Sequence, residues 1–131
     1  MEENFKIEII SPEEIIFSDN AKMTKIPSYE GDMSILKNHI SIISFLRPGI
    51  VSVEKTNGEP EVFFVKDGTI EFFENTLVLL SESVKNIKNL TKEFIENLSK
   101  ETEVKLGKDN INDEERYILN HQLDALKEIR V

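Results

Sequence analysis

The pattern of apolar and polar positions changes near residue 85 of this 131-residue chain. Before that point, short runs rich in β-branched and aromatic residues alternate with turn-forming residues, which is typical of β-strands. The runs are Phe5 to Ile10, Ile15 to Phe17, Met23 to Ile26, Ile42 to Leu46, Ile50 to Val53, Val62 to Val65, Ile70 to Phe73 and Leu77 to Leu80. Their spacing predicts an antiparallel β-sandwich or barrel.

The segments between these runs are rich in Asn, Asp, Gly and Pro, which supply turn dihedral angles. They are Ser11-Pro12, Asp19-Asn20, Gly31-Asp32, Pro48-Gly49, Asn57-Gly58, Asp67-Gly68 and Glu74-Asn75. Asn57-Gly58 predicts a tight two-residue hairpin, because both residues tolerate positive φ. The run from Glu61 to Val65 is too apolar for a sheet exposed on both faces, so a second layer must cover at least one of them.

After residue 85 the apolar positions follow a helical period. Steps of three or four residues relate the members of two stripes, Ile87, Leu90, Phe94 and Leu98, and then Leu119, Leu123, Leu126 and Ile129. Residues 107–110 interrupt the period, and Asn112 before acidic residues is an N-cap signal. Helices with apolar stripes this short are stable only with further contacts, either to the sandwich or to a partner protein. The prediction is an α+β protein with a sandwich over residues 1–85 and an antiparallel two-helix hairpin over residues 86–131.

Composition excludes several classes of partner and chemistry. The chain has 16 Lys and Arg against 25 Asp and Glu, a formal net charge of -9, so unspecific binding to nucleic acid or to an anionic bilayer is not expected. The sequence has no Cys, which excludes disulfides and thiolate zinc sites and favours a reducing compartment. Because no run of about 18 apolar residues is present, membrane association requires a partner protein.

Motifs for catalysis or nucleotide binding are missing. The sequence has no P-loop, no GxGxxG after a strand, no HExxH and no GxSxG. The two His residues lie far apart in sequence. We interpret His39 as a structural or contact residue and His121 as a solvated residue on the polar side of the second helix. No metal and no cofactor are expected.

An enzyme is nevertheless an alternative that the residue pattern leaves open. Small β-sandwich and barrel folds host isomerases that use a His with a carboxylate in a lined pocket. That chemistry would require His39 and an acid such as Glu71 to converge inside the barrel. A third alternative is a free-standing adaptor whose helical hairpin serves as an arm, and it differs from a subunit of a larger assembly only in its partner.

The order of several short motifs resembles that of the ATP synthase epsilon chain family. The motifs are Ser11-Pro12 with Phe17-Ser18, Pro27 through Gly31, Ile35-Leu36, His39, Leu46-x-Pro48-Gly49 and Asp67-Gly68-x-Ile70-Glu71. The resemblance implies an antiparallel β-sandwich of about ten strands followed by a C-terminal two-helix hairpin. Two positions depart from the family pattern. Ile40-Ser41 replaces the Ala-Pro that usually follows the His, and Ser34 replaces the second Gly of the acidic loop.

The same resemblance implies a non-catalytic rotor subunit of the F-type ATP synthase. Such a subunit binds the gamma subunit and the c-ring, couples ion translocation to ATP synthesis and modulates ATP hydrolysis through its hairpin. The implied c-ring contact loop comprises Glu30, Gly31, Asp32 and Ser34, with His39 approaching from the same end. The implied location is the cytoplasmic face of the bacterial inner membrane, as a peripheral subunit without insertion into the bilayer.

Two further expectations follow from the resemblance. Epsilon chains that sense ATP carry Ile/Leu-Asp-x-x-Arg-Ala at the first helix, whereas Thr91, Phe94 and Ile95 replace the Asp, the Arg and the Ala here. ATP binding is therefore not expected. Cations of the helical segment either contact acidic loops of the alpha and beta catalytic subunits or are solvated. These cations are Lys88, Lys92, Lys100, Arg116 and Lys127.

Overall fold

The computed structural model describes residues 3–129, so the outer ends of the two predicted domains, residues 1–2 and 130–131, lie outside the described part. The strands are β1 (Phe5–Ile10), β2 (Ile15–Ser28), β3 (Gly31–Leu36), β4 (Ile42–Leu46), β5 (Gly49–Lys55), β6 (Pro60–Val65), β7 (Gly68–Phe73), β8 (Thr76–Leu80) and β9 (Val84–Asn86). A short 3-10 helix (Ile87–Asn89), α1 (Lys92–Leu106) and α2 (Asp113–Glu128) follow. The predicted α+β class is confirmed, with nine strands in the described residues.

The strands form a sheet that bends around its own core. Their order is β1-β8-β7-β4-β2-β5-β6-β9, with β3 paired to β2 and β1 paired to β2 as well. All of these pairs are antiparallel except β1 with β8, which run parallel with Lys6 opposite Thr76. Since β2 pairs with β1 through its first half and with β3 and β5 through its second half, it joins the two layers of the sandwich.

The predicted turn at Asp19-Asn20 is wrong, because both residues lie inside β2. They pair with Ile7 and Lys6 of β1, and just beyond them the register of β2 against β5 shifts between Ala21 and Met23. Two predicted runs are therefore one strand of 14 residues that bends where it passes between the layers. Pairing with neighbours along the whole strand outweighs the weak strand preference of Asp and Asn.

The two-residue turn predicted at Asn57-Gly58 is also wrong. A four-residue connection lies between β5 and β6, and only Gly58 of the pair has positive φ (83°). The two-residue hairpin lies instead between β7 and β8, where Glu74 and Asn75 have φ of 46° and 58°. A two-residue turn with positive φ at both central residues has a backbone twist that matches the right-handed twist of the flanking strands.

Apolar side chains fill the interior of the sandwich. Fully buried members of this core are Phe5, Ile7, Ile9, Ile26, Ile35, Leu46, Phe63, Ile70, Phe72, Leu77 and Leu79. Side chains alternate between the two faces of a strand, so Phe64 of β6 points away from this core. It is buried by the helices instead, in a second cluster with Leu90, Leu98, Ala125 and Leu126. The second layer required for the run from Glu61 to Val65 is thus the helix hairpin of the chain itself.

The helix hairpin is closed by caps and by a buried polar pair. Thr91 caps α1 by accepting from Phe94 N at 3.0 Å, so Ile87 and Leu90, predicted to belong to the first helix, precede it. Asn112 caps α2 in a capping box with Glu115, as the sequence predicts. Between the helices, Gln122 Nε2 donates to Thr102 Oγ1 at 2.8 Å.

The predicted domain boundary at residue 85 falls within β9, which pairs with β6 through Val84, Lys85 and Asn86. The sheet therefore extends to the beginning of the 3-10 helix. The hairpin packs on the outer face of β5 and β6. It leaves the outer face of β4, β7 and β8 uncovered within the described residues.

Candidate functional site

His39 and Glu71 do not meet inside the sandwich. His39 lies on the loop between β3 and β4, with its Nδ1 2.7 Å from the carbonyl oxygen of Ile40 and its ring edge-on to Phe72. Glu71 is exposed on the outer face of β7. The interior where the enzyme alternative requires them is filled by apolar side chains. The geometry needed for that alternative is therefore missing in residues 3–129.

The expectation that His39 approaches the acidic loop from the same end is wrong. Gly31 pairs with Ser28 at one end of β3, whereas the backbone amide of His39 donates to the carbonyl oxygen of Leu36 at the other end. Six residues of strand span about 17 to 20 Å. The structure brings Glu30, Gly31 and Asp32 together at the β2–β3 turn, and Ser34 lies further along β3 opposite Lys25.

The acidic loop, here residues 29–32, is held from both sides by short contacts. Arg47, between β4 and β5, donates to Asp32 Oδ1 at 2.9 Å and to the Ser28 carbonyl oxygen at 3.0 Å. Behind the turn, Ser28 and Ser44 hydroxyls lie 2.8 Å apart, and the Glu30 amide donates to Ser28 Oγ at 3.2 Å. The Asp32 side chain is still 82% exposed, so its carboxylate is available to a partner.

Helix α2 contacts this same loop. The Tyr117 ring stacks on Tyr29 with centroids 5.7 Å apart, and its hydroxyl donates to the Tyr29 carbonyl oxygen at 3.2 Å. A longer contact of 3.5 Å joins Arg47 Nη1 to the Tyr117 hydroxyl. Burial, followed by the Glu114 carboxylate, raises the pKa of Tyr29 above its ordinary value of 10.0. Sequence reasoning missed Arg47 and Tyr117, although Arg47 stands directly before the Pro48-Gly49 motif.

His121 is not the solvated residue that the sequence predicts. It is half-buried, with its ring edge-on to Tyr117 at 4.4 Å, in a cavity of about 330 Å³ between β2, β5 and α2. Burial lowers the pKa of His121 below its ordinary value of 6.5, and Arg47 adds to this, whereas Asp124 and Asp32 oppose it. Lys25 and Glu128 are the other charged residues that line the cavity.

We expect the stability of the folded chain to fall as His121 is protonated. Because the folded state has the lower pKa, the neutral imidazole favours folding above pH 6.5, and this contribution is lost as the pH falls from 6.5 towards the folded pKa. Urea unfolding at about pH 7.5 and about pH 5.5 measures how much the free energy of unfolding falls between the two pH values. This fall should be larger for the wild type than for His121→Gln. His39→Gln, away from the hairpin, is the control. Equal losses in the wild type and His121→Gln would contradict this assignment.

Four large apolar side chains are exposed together on the outer face of β4, β7 and β8. These residues, the outer apolar face, are Ile43 (69% exposed), Phe45 (65%), Phe73 (56%) and Leu80 (49%). Ile43 pairs with Glu71 and Phe45 with Thr69, and Thr69 pairs in turn with Leu80, so these side chains project on one side. The sequence signal for this face is the run Ile42 to Leu46, which has apolar residues at both alternating phases.

Two motif glycines occupy positions where the Cβ of any other residue would displace neighbouring atoms. A Cβ on Gly49 would lie 2.5 Å from Pro27 Cβ, and a Cβ on Gly68 would lie 2.6 Å from the Leu80 carbonyl oxygen. Gly68 also has φ of 147°. These contacts give a steric reason for the glycines of Pro48-Gly49 and Asp67-Gly68, which are the first residues of β5 and β7.

The remaining predicted site residues lie on the helical segment. Lys88 Nζ lies 3.9 Å from Glu61 Oε1, with the Lys88 side chain 71% exposed and the Glu61 side chain 16% exposed. Lys92, Arg116 and Lys127 are exposed. Thr91 serves as the α1 cap, and Phe94 and Ile95 pack beside the second apolar cluster. No helix within residues 3–129 has the length and apolar character needed to cross a membrane.

Comparison with known proteins places the chain in one family. The family model described as ATP synthase, Delta/Epsilon chain, beta-sandwich domain matches residues 4–87. An ATP synthase epsilon chain from Pelagibacter ubique is 41% identical over 97% of this chain and 98% of its own length. One from Parvibaculum lavamentivorans is 32% identical over 99% of this chain and 98% of its own length.

Solved structures agree in fold. A chain in the Euglena gracilis mitochondrial ATP synthase, from a structure of its OSCP, F1 and c-ring, superposes with a TM-score of 0.75 at 16% identity. The match covers 97% of this chain and 79% of that one. A chain in the structure of the Tetrahymena thermophila mitochondrial ATP synthase central stalk and c-ring superposes with a TM-score of 0.60 at 14% identity. That match covers 94% of this chain and 93% of the other chain. With the family model and the bacterial relatives, the sequence and the fold establish that this chain belongs to the ATP synthase epsilon chain family, whose members are non-catalytic subunits of the ATP synthase.

Proposed function

We propose that this epsilon chain is a rotor subunit of the central stalk that binds the gamma subunit through the outer apolar face and the c-ring through the acidic loop. The observation that supports this most directly is the outer apolar face itself. Ile43 and Phe45 are more than three-fifths exposed although they stand in the middle of a folded sheet. Clusters of apolar side chains on a protein surface that faces water are typical of an interface with another protein.

The choice of partner for each surface follows from its chemistry. A cluster of exposed aliphatic and aromatic side chains suits a large, permanent protein contact, such as a shaft subunit provides. The acidic loop has exposed Glu30 and Asp32 side chains on a rigid support, and a loop of this kind suits polar contacts at the rim of a ring. Ser34 extends the loop surface along β3.

A contact through His39 stays a prediction, but its place in the assembly changes. His39 lies beside Ile40, which is 77% exposed, at the end of β3 that is remote from the acidic loop. We therefore propose that a contact made by His39 belongs to the gamma interface rather than to the c-ring interface.

The hairpin supports a further part of this proposal, which concerns the catalytic subunits. Lys88, Lys92, Arg116 and Lys127 are exposed while the hairpin is docked, and they would meet acidic loops of the alpha and beta subunits only when it extends. Modulation of ATP hydrolysis through these cations stays a prediction. ATP binding is still not expected, because Thr91 is engaged as a helix cap and Phe94 and Ile95 are apolar.

The proposed location is the cytoplasmic face of the bacterial inner membrane. The support is that the Pelagibacter ubique and Parvibaculum lavamentivorans relatives named above are bacterial ATP synthase epsilon chains. The subunit would be held there as a peripheral component by gamma and the c-ring, without inserting into the bilayer.

The proposal is tested by recovering partners with tagged chain from membranes of the organism that makes it, and quantifying them by mass spectrometry. The wild type should recover gamma and c subunits. Phe45→Ser should lower gamma recovery about tenfold or more, because it removes an aromatic anchor from the interface. Ile15→Ser is the matched control, since Ile15 is similarly exposed (60% against 65% for Phe45) but lies on β2 outside this face.

The acidic loop is tested in the same experiment with Asp32→Lys. This variant should keep gamma but lower the ratio of c to gamma subunits, because it reverses charge at the proposed ring contact and removes the ion pair with Arg47 that holds the loop. Failure of the wild type to recover any ATP synthase subunit would overturn the proposal. Equal loss of gamma in Phe45→Ser and Ile15→Ser would overturn the assignment of the outer apolar face.

A further inference from the structure

Strand β4 has a backbone edge that the rest of the chain leaves almost uncovered. One edge of β4 pairs with β7 along the whole strand. The other edge meets a strand only at its last residue, where Leu46 lies opposite Ser28 of β2. In residues 3–129 no further strand pairs with this second edge, which we call the free edge of β4.

Two hydrogen bonds at the end of β4 show which backbone groups point towards the free edge. The Tyr29 amide donates to the Phe45 carbonyl oxygen at 3.0 Å, and next to it the Arg47 amide donates to the carbonyl oxygen of Pro27 at 2.9 Å. The amide and the carbonyl group of one strand residue point to the same edge, and successive residues alternate between edges. Phe45 therefore faces the free edge, and so does Ile43. Across the described residues, the N–H and C=O of Ile43 and the N–H of Phe45 have no backbone partner there.

The free edge of β4 lacks the features that keep strand edges from pairing. Edges are usually protected by charged side chains, by Pro or by short length. Among the other strands with an unpaired edge in the described part of the chain, β9 has three residues including Lys85, β3 contains Asp32 and the first half of β2 contains Asp19. β4 has the sequence IISFL and exposes Ile43 (69%) and Phe45 (65%). Such an uncharged, apolar edge favours pairing with a further strand.

The free edge is continuous with the outer apolar face. Ile43 and Phe45 contribute their side chains to that face, while their backbone groups point sideways in the plane of the sheet. A strand added at the free edge would extend the sheet of β4, β7 and β8, and its outward side chains would enlarge the outer apolar face. Strand addition of this kind combines main-chain hydrogen bonds with side-chain contacts at alternate positions.

We propose that the gamma subunit adds an extended strand to the free edge of β4 when it covers the outer apolar face. The inference rests on the proposed function, because it takes gamma as the partner of that face, and it adds the mode of recognition. The added strand carries apolar side chains at alternate positions, where they lie beside those of Ile43 and Phe45. It is short, because the Phe45 carbonyl oxygen is already occupied by Tyr29.

Amide hydrogen exchange, measured by NMR on the whole chain free and bound to the gamma subunit of the same organism, tests this mode of binding. In the free chain the amides of Ile43 and Phe45 should exchange faster than those of Ser44 and Leu46, which face β7. Gamma should slow exchange at Ile43 and Phe45 about tenfold or more, since the added hydrogen bonds must open first. Ser34 is the control, because counted from the β2–β3 turn its amide faces the unpaired edge of β3.

Ile43→Pro separates the backbone contact from the side-chain contact. Pro removes the N–H that faces the free edge and leaves the bonds between β4 and β7 in place, and Pro is tolerated at such edge positions. In the recovery experiment Ile43→Pro should lower gamma recovery about fivefold or more beyond Ile43→Ala, which shortens the side chain but keeps the N–H. Protected β7 amides in Ile43→Pro verify that the sheet is folded.

The outcomes separate this inference from the proposed function. Unchanged exchange at Ile43 and Phe45 in a complex that contains gamma would overturn the inference and leave the proposed function standing. Equal gamma recovery by Ile43→Pro and Ile43→Ala would overturn it as well. Protection of the same amides in concentrated chain without gamma would overturn gamma as the occupant and assign the edge to a second copy of this chain. A wild-type chain that binds no gamma would contradict the proposed function instead.

Discussion

Gly68→Ala should lower the free energy of unfolding by about 2 to 4 kcal/mol, which combines the strain of positive φ with overpacking. The new methyl carbon would stand 2.6 Å from the Leu80 carbonyl oxygen and 3.2 Å from Ser81 Cβ. That oxygen belongs to the backbone of a paired strand, so relief requires β7 and β8 to move apart. Urea unfolding followed by circular dichroism measures the change.

Gly58→Ala is the matched control for this effect. Gly58 also has positive φ (83°), but no atom lies within 4 Å of the position that its Cβ would take. The control should therefore cost only about 1 kcal/mol, from backbone conformation alone. Equal losses for Gly58→Ala and Gly68→Ala would show that the contact with Leu80 is relieved at no cost, and would contradict the steric explanation of the Asp67-Gly68 motif.

Leu126→Ala should destabilise the docked hairpin by about 2 to 5 kcal/mol, the range for deleting a buried Leu side chain. Leu126 is 2% exposed and lies in the cluster with Phe64, Leu90 and Leu98 that joins the helices to β6. That cluster is small, so a loss of this size is expected to release the helices before the sandwich unfolds. Faster amide exchange throughout α1 and α2, with β1 and β7 still protected, is the expected measurement.

Leu36→Ala provides the same chemical change at an exposed position of β3, where the side chain is 51% exposed. It should lower stability by less than about 1 kcal/mol and leave helix exchange unchanged. If Leu126→Ala behaves like Leu36→Ala, the second cluster does not hold the hairpin. If it unfolds helices and strands together, the chain is one cooperative unit and the hairpin cannot undock alone.

The parts of the fold that the sequence predicts best are those determined by neighbouring residues. The strand Phe5–Ile10 and the capping box at Asn112 have the predicted limits, because alternation and capping depend on residues only a few positions apart. The break at Gly107 is confirmed for the same reason. The helical period, however, continues through Ile87 and Leu90, which pack on the sheet ahead of α1, since tertiary packing selects apolar residues outside helices as well.

The surfaces that carry the candidate site depend on contacts between residues that are distant in sequence. The sequence therefore predicts these surfaces only in part. The acidic loop was found by its motif, but its link to Tyr117 spans 88 residues from Tyr29 and leaves no local pattern. His121 was misassigned because the helix face that packs on β5 includes polar residues. The separation of His39 from the loop follows from Gly31–Leu36 being a strand, which the Gly-Asp start of this segment concealed.

The parallel pair of β1 and β8 has a consequence for biosynthesis. Lys6, near the beginning of the chain, cannot find its neighbour Thr76 until most of the sandwich has been translated. Contacts this far apart in sequence require closure of a long chain segment and form slowly. The nascent chain must therefore carry the unpaired edge of β1 through most of its synthesis. The helix hairpin emerges afterwards and covers Phe64 last, so the order of translation determines the order in which the surfaces of this subunit become available for assembly.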